Sequence, residues 1–177
     1  MIKNILITGG AGFIGLHLAT RLLNDGHRVT ILDNFSRGVE DQALKTINAF
    51  ENAQLCNLNL LNKQALLNLG EDFDIIFHLA AIIGVKHVMA NPYRVLLDNI
   101  QMLANMIEFT FNQHQLSRFL FASTSEVYAG TLKHFQLPIP TPESTPLATT
   151  DLSEPRTSYM LSKIYGEALC NHSGLPY

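Results

Sequence analysis

Thr8-Gly9-Gly10-Ala11-Gly12-Phe13-Ile14-Gly15 follows the apolar run Ile5-Leu6-Ile7 and leads on to Leu18 and Leu22. The run before it reads as a buried strand. The spacing after it reads as a helix, with Phe13, Ile14, Leu18 and Leu22 on one face. A strand that enters a helix through glycines leaves the first helical amides unpaired, and these amides with the helix dipole form a site for an anion. Gly9 permits the tight turn, Gly12 lets a pyrophosphate approach the backbone, and Gly15 lets the helix pack closely on the strand. The glycine spacing is G-x-x-G-x-x-G, not the G-x-G-x-x-G of the general dinucleotide fingerprint. Glycines also mark ordinary turns. The loop gains its weight from the strand before it, the helix after it and an acidic residue downstream.

That acidic residue is Asp33, which closes a second apolar run, Val29-Thr30-Ile31-Leu32. It stands about twenty residues beyond the glycines, where such folds hydrogen-bond an adenosine ribose. A carboxylate there accepts from both ribose hydroxyls and repels a 2′-phosphate, which selects NAD over NADP. Arg37 argues the other way, because a nearby guanidinium can receive that phosphate. The plainer role for Asp33 is to cap a turn with Asn34.

The 177 residues suffice for one sizeable core. Hydrophobic residues make up 47% and charged ones 15%, a balance suited to a sheet covered on both faces. A net charge of -3 with scattered basic residues argues against a nucleic-acid surface. Cys56 and Cys170 lie far apart, as expected of reduced thiols in a cytoplasmic protein. No apolar run reaches about eighteen residues, so no membrane span is expected.

Strand and helix signals alternate, which predicts an α/β fold with a doubly wound parallel sheet and one domain over residues 1–177. A polar turn from Asn34 to Gly38 precedes a helical stretch around Ala43, Ile47 and Phe50. A short strand near Gln54-Leu55-Cys56 and a small helix around Ala65, Leu66 and Leu69 follow. Asp74 to Leu79 reads as the fourth strand and Phe119-Leu120-Phe121 as the fifth. Pro92 opens a long helix with Val95, Leu96, Leu103, Met106 and Ile107 as its apolar set. Pro138, Pro140, Pro142, Pro146 and Pro155 mark a long irregular connection of the kind that is often functional. A last helix is expected from about Thr157 to Asn171. Gly174-Leu175-Pro176-Tyr177 reads as the entry to a sixth strand, so the chain is expected to be the N-terminal part of a longer protein.

Tyr159 and Lys163 are four apart in that last helix and share a face. A phenol with a pKa of about 10 is a poor base at neutral pH. A lysine ammonium within reach favours the phenolate and is expected to lower that value. Thr124, at the end of the fifth strand, can bring a second hydroxyl to the same substrate oxygen. Such a set can take a proton from an alcohol while its carbon gives hydride to a nicotinamide.

These motifs resemble the extended short-chain dehydrogenases/reductases, specifically the NAD-dependent epimerase/dehydratase group that acts on nucleotide sugars. The resemblance runs through TGGAGFIG (Thr8 to Gly15), LDN (Leu32 to Asn34), HLAA (His78 to Ala81), STSEVY (Ser123 to Tyr128) and YMLSK (Tyr159 to Lys163). It implies an NAD-binding Rossmann fold, with Thr124, Tyr159 and Lys163 in catalysis. It also implies a cofactor lined by Gly9, Gly12, Phe13, Ile14, Gly15, Asp33, Asn34, Arg37, Asn57 and Leu58 at one end. Leu79, Ala80, Ala81, Asn99, Ser123, Tyr159 and Lys163 are implied along the rest of it. The resemblance further implies a homodimer in the full-length form, built on the Pro92 helix and the Tyr159 helix. Two positions depart from the pattern. Asn57 stands where aspartate usually lies beside the adenine, and Met102-Leu103 stands where Gly-Thr is frequent. The family binds its sugar nucleotide mainly with a C-terminal domain, which this chain is expected to lack.

Thr124-Ser125-Glu126 resembles the Thr-Ser-Glu of nucleotide-sugar 4,6-dehydratases and UDP-glucuronate decarboxylases, where the glutamate assists a step after oxidation at C4. The stretch from Ser158 to Glu167 looks closer to the 4-epimerases, which need no such acid. The two signals conflict, and Glu126 reads equally as a solvated carboxylate at a strand end. His78 reads as a packed histidine, Tyr128 as core, and Met106, Phe109 and Phe111 as packing or a subunit contact. The histidines show no paired spacing for zinc, so no metal is expected. A dinucleotide-binding module without turnover is the rival reading. It gives no reason for Thr124, Tyr159 and Lys163 to occur together.

Overall fold

Ile5, Leu6 and Ile7 form β1 (Asn4–Thr8) and are almost completely buried, as a central strand covered on both faces must be. A computed structural model describes residues 1–37, 42–47, 49–70 and 72–176, with the side chains of residues 42 and 43 outside that description. The remaining strands are β2 (Arg28–Asp33), β3 (Ala53–Asn57), β4 (Ile75–His78) and β5 (Arg118–Phe121). All pair in parallel in the order β3-β2-β1-β4-β5. The order reverses between β1 and β4, and in sheets of this kind ligands bind at the carboxyl ends of the strands flanking that reversal. The loop after β1 stands there.

The helices are α1 (Phe13–Asn24), α2 (Gln42–Ile47), α3 (Lys63–Leu67), α4 (Val85–Ala90), α5 (Pro92–Thr110), α6 (Ala129–His134) and α7 (Thr157–His172). The chain divides into two compact units. One comprises residues 1–81, 102–122 and 173–177, and the other residues 82–101 and 123–172.

The first unit holds the sheet. Its core joins Ile5, Ile7, Ala19, Leu23, Val29, Ile31 and Ile47, with Leu16, Leu18, Leu22 and Phe50 packed against it. The fully buried residues of α1 are Gly15, Ala19 and Leu23, with Leu18 and Leu22 half-buried beside them. Phe13 and Ile14 are 79% and 69% exposed, contrary to the helical face expected of them. They stand in the first turn, where Gly15 is the buried residue and lies against the backbone of Gly9 and Gly10. Phe50 and Leu69 lie just beyond the ends of α2 and α3, so both helices are shorter than their apolar spacing suggests. Gly38, the end of the expected turn, Tyr177 and the side chain of Ala43 lie outside the described residues. The Phe119 amide donates to the Pro176 carbonyl at 2.7 Å, which sets the expected sixth-strand entry beside β5.

The second unit contains α4, α6 and α7 and shows how the proline-rich connection is held. Thr131 of α6 donates to the Pro146 carbonyl at 2.7 Å and accepts from the Ala148 amide at 3.1 Å. The Thr150 and Thr157 hydroxyls meet at 2.6 Å, and Thr157 also donates to the Asp151 carbonyl. These side-chain bonds replace the ladder that an irregular segment lacks. Sequence periodicity missed α4 and α6, each too short to repeat a pattern.

Candidate functional site

In the glycine loop, Gly9 has φ +69, and a Cβ there would lie 2.8 Å from the Ala80 amide nitrogen. A side chain at Gly15 would lie 2.6 Å from both the Gly10 Cα and the Gly9 carbonyl oxygen. These glycines are required by close backbone approach. Gly12 differs. A Cβ there would meet only the Gly9 carbonyl oxygen, so the space over the helix start is open. Gly12, the N-cap of α1, has no side chain to bond the first helical amides, and the first turn of α1 carries no acid. The helix amides and dipole are thus available to an anion, and the loop fits the pyrophosphate of a dinucleotide.

Asp33 ends β2 and accepts from the Ala11 amide at 3.1 Å and the Phe35 amide at 2.9 Å. It does cap a local turn, and it also ties the glycine loop to β2. Asn34 accepts from the Ser36 amide in the same turn. Asn57 pairs in register with Asp33, and the Leu58 amide donates to the Asp33 carbonyl at 3.0 Å. Leu79 and Ala80 follow β4, their amides held by the Thr8 carbonyl and hydroxyl. Ala81 continues that stretch, and Arg37 is exposed. His78 is 1% exposed, bonds the Thr8 hydroxyl through Nδ1 at 2.9 Å and stacks between Phe119 and Phe121. It is a packed histidine, as expected.

The second unit brings the proposed catalytic residues together. Thr124, Glu126 and Tyr159 line one cavity of about 240 Å³ with Arg156, Ile83, Gly84, Val85 and Val88. The chain leaves Thr124 in extended conformation and enters a 3₁₀ turn, Ser125–Tyr128, whose Glu126 amide Thr124 caps at 3.3 Å. The Thr124 hydroxyl lies beside the Tyr159 phenol and favours its ionised form. Lys163 lies one turn along α7, 4% exposed, with Nζ 5.9 Å from the centre of the Tyr159 ring.

The electrostatics correct one expectation. Burial and the Glu126 carboxylate push the Tyr159 phenol above 10, and only the Thr124 hydroxyl opposes them. Lys163 approaches the ring face and is itself pushed down to about 8 by burial, with Cys170 acting weakly the other way. Burial and Glu167 push the Cys170 thiol up to about 11, an inert thiol rather than a nucleophile.

Asn99 accepts from the Ile82 amide at 2.7 Å and donates to the Ile82 carbonyl at 3.1 Å, and its amide also reaches the Ser162 hydroxyl. It fastens the segment that lines the cavity beside Ile83. Ser123 is exposed and donates to Glu167. Tyr128 is half-buried, and Val127 is the core residue of that turn. Met106 and Phe109 are buried, whereas Phe111 is exposed. Met102 and Leu103 are buried in α5. Sequence reasoning missed Arg156, whose Nη2 lies 3.7 Å from Glu126 Oε1, because nothing local marks it. Among the described residues no group of three His, Cys, Asp or Glu could hold a metal ion, and no helix is long and apolar enough to cross a membrane.

The sheet order, the glycine loop and the Thr124–Tyr159–Lys163 set together define an extended short-chain dehydrogenase/reductase. Residues 5–176 match the NAD dependent epimerase/dehydratase family, and the chain belongs to it. It is 36% identical over 170 residues to a UDP-N-acetyl-alpha-D-glucosaminuronate decarboxylase of Bacillus cytotoxicus, covering 96% of this chain and 50% of that protein. It is 38% identical over 134 residues to UDP-glucuronic acid decarboxylase 1 of Danio rerio, covering 76% of this chain and 30% of that one. The structure of a UDP-Glc/GlcNAc 4-epimerase from Campylobacter jejuni superposes with a TM-score of 0.81 at 29% identity. That superposition covers 97% of this chain and 49% of the epimerase. The chain thus spans about half the length of these proteins or less.

Proposed function

We propose that this chain carries the NAD-binding and proton-transfer residues of an enzyme that oxidises a nucleotide sugar at C4 to a 4-keto intermediate. The observation that carries the reading is the cavity in which Thr124, Glu126 and Tyr159 meet, with Lys163 against the Tyr159 ring. NAD, when bound, supplies a hydride acceptor at the oxidation step and returns the hydride later. The α1 amides would hold its pyrophosphate and Asp33 its adenosine ribose, with Asn34 and Arg37 just beyond Asp33 in the chain and Asn57 and Leu58 beside it across the sheet. Tyr159 takes the proton of the C4 hydroxyl as a phenolate and gives it back when the ketone is reduced. The Thr124 hydroxyl favours that phenolate by donating to it. Lys163 adds a positive charge at the ring.

A second reading, a decarboxylase of a UDP-uronate, is favoured by Glu126 in the same cavity as Tyr159. Relatives named as decarboxylases and as epimerases are both compatible with the chain. Mass spectrometry of products from a full-length form, offered UDP-, GDP- and dTDP-sugars, decides between them. Loss of carbon dioxide from a uronate supports the second reading, whereas loss of water, or an unchanged mass with altered C4 configuration, supports the first as a dehydratase or an epimerase. No turnover with any sugar counts against both and leaves a binding module. A homodimer in the full-length form is supported by Tyr93 and Leu97 on α5 and Tyr165 on α7, all exposed. A monomer by light scattering at micromolar concentration would count against it.

A further inference from the structure

The Arg156 guanidinium stands at the wall of the cavity, 3.7 Å from the Glu126 carboxylate, and both side chains line the cavity beside the Tyr159 phenol. Glu126 is the carboxylate whose charge bears on that phenol, and a phenolate forming beside a carboxylate is opposed by like-charge repulsion. We propose that Arg156 is a positioning residue that acts on Tyr159 through Glu126, holding that carboxylate and partly neutralising it beside the phenol. The inference rests on the proton-transfer role given to Tyr159 above, and assigns to Arg156 a task that touches neither substrate nor cofactor.

The charges around the phenol are few enough to name. The 3₁₀ turn contributes Glu126 and the uncharged Thr124 hydroxyl. α7 contributes Lys163 at the ring face, and the segment leading into α7 contributes Arg156. The α4 side of the cavity is formed by Ile83, Gly84, Val85 and Val88, none of them charged. Lys133 of α6 pairs with Glu154 at 3.4 Å. Among the described residues Arg156 is therefore the cation at the cavity wall that faces Glu126. Because the pair is partly open to water, its influence is modest in size and sensitive to salt.

The test is a tyrosinate titration of the cofactor-free chain by ultraviolet difference absorbance, with the Tyr159 contribution isolated by subtracting Tyr159→Phe. Arg156→Met should shift the Tyr159 midpoint upward by on the order of half a pH unit, and Glu126→Gln should shift it downward by a similar amount. In the Glu126→Gln background the further change Arg156→Met should have no effect. Arg156→Lys, which keeps the charge, should titrate close to wild type. An unmoved midpoint in Arg156→Met overturns the proposal. So does an equal shift with and without Glu126, because Arg156 would then act on the phenol directly. Since the titration needs neither substrate nor turnover, a wrong assignment of the reaction would leave these shifts intact. It would appear instead as absent turnover in the product assay.

Discussion

Lys163→Met should inactivate the enzyme and stabilise the fold. Lys163 is 4% exposed, and burial lowers its pKa from the ordinary 10.5 to about 8. The penalty belongs to the charged form. Below pH 8 the ammonium is charged in folded and unfolded chains alike, and the folded state bears the whole cost. Between about 8 and 10.5 the unfolded chain still holds a proton that the folded chain has released, so stability rises with pH through that window. Above 10.5 the penalty is gone. Converted to free energy, the gap between 10.5 and about 8 is about 3 kcal/mol. Methionine fills the same stem without the charge, and loss of the ammonium's contacts, the Tyr159 ring among them, offsets about 1 kcal/mol of the gain. Urea unfolding at several pH values between 7 and 11 would read the difference between variant and wild type. The variant should be more stable by about 2 kcal/mol at pH 7, and the gap should close as pH approaches 10.5. A gap that is constant over that range, or a variant less stable at pH 7, would refute the reasoning. The trade of stability for a functional charge is common at active sites.

Asp33→Ala should weaken NAD binding and narrow its preference over NADP, read from the two dissociation constants. Wild type that binds NADP at least as tightly as NAD would rule out the assignment. Gly130→Ala should destabilise strongly, because a Cβ at Gly130 would lie 1.9 Å from the Ala148 carbonyl oxygen. With backbone on both sides of that contact, a loss of about 1–3 kcal/mol or more is expected in urea unfolding, and a neutral effect would show that the segment around Ala148 moves freely. Tyr159→Phe should keep the fold and cofactor binding and lose about 10²–10⁴-fold in rate in a full-length form. In the cofactor-free chain, the tyrosinate signal it removes should titrate above pH 10.

The architecture was legible wherever the signal is local. The alternation of apolar runs with glycines located β1, the glycine loop and α1, and Pro92 and Thr157 do open long helices. Asp33 was singled out by its distance from the loop, and Thr124, Tyr159 and Lys163 by motif, and the structure places the last three close together. What periodicity could not settle is which neighbour covers an apolar face. Leu18 and Leu22 pack against the core as their spacing suggests, yet Phe13 and Ile14 on the same helical side are exposed, and Gly15, Ala19 and Leu23 are the fully buried residues.

The site divides in the same way. The sequence by itself determined which reactive groups are present, because hydroxyl, phenol, ammonium and carboxylate are written in residue identity. Their protonation was decided by tertiary structure. The Tyr159 phenol rises because it is buried beside Glu126, and Lys163 falls because it is buried. The Arg156–Glu126 contact and the Asp33 bond to the glycine loop join positions remote in the chain. Desolvation and through-space charge depend on distance in space, which sequence spacing does not encode beyond a helical turn or a strand repeat.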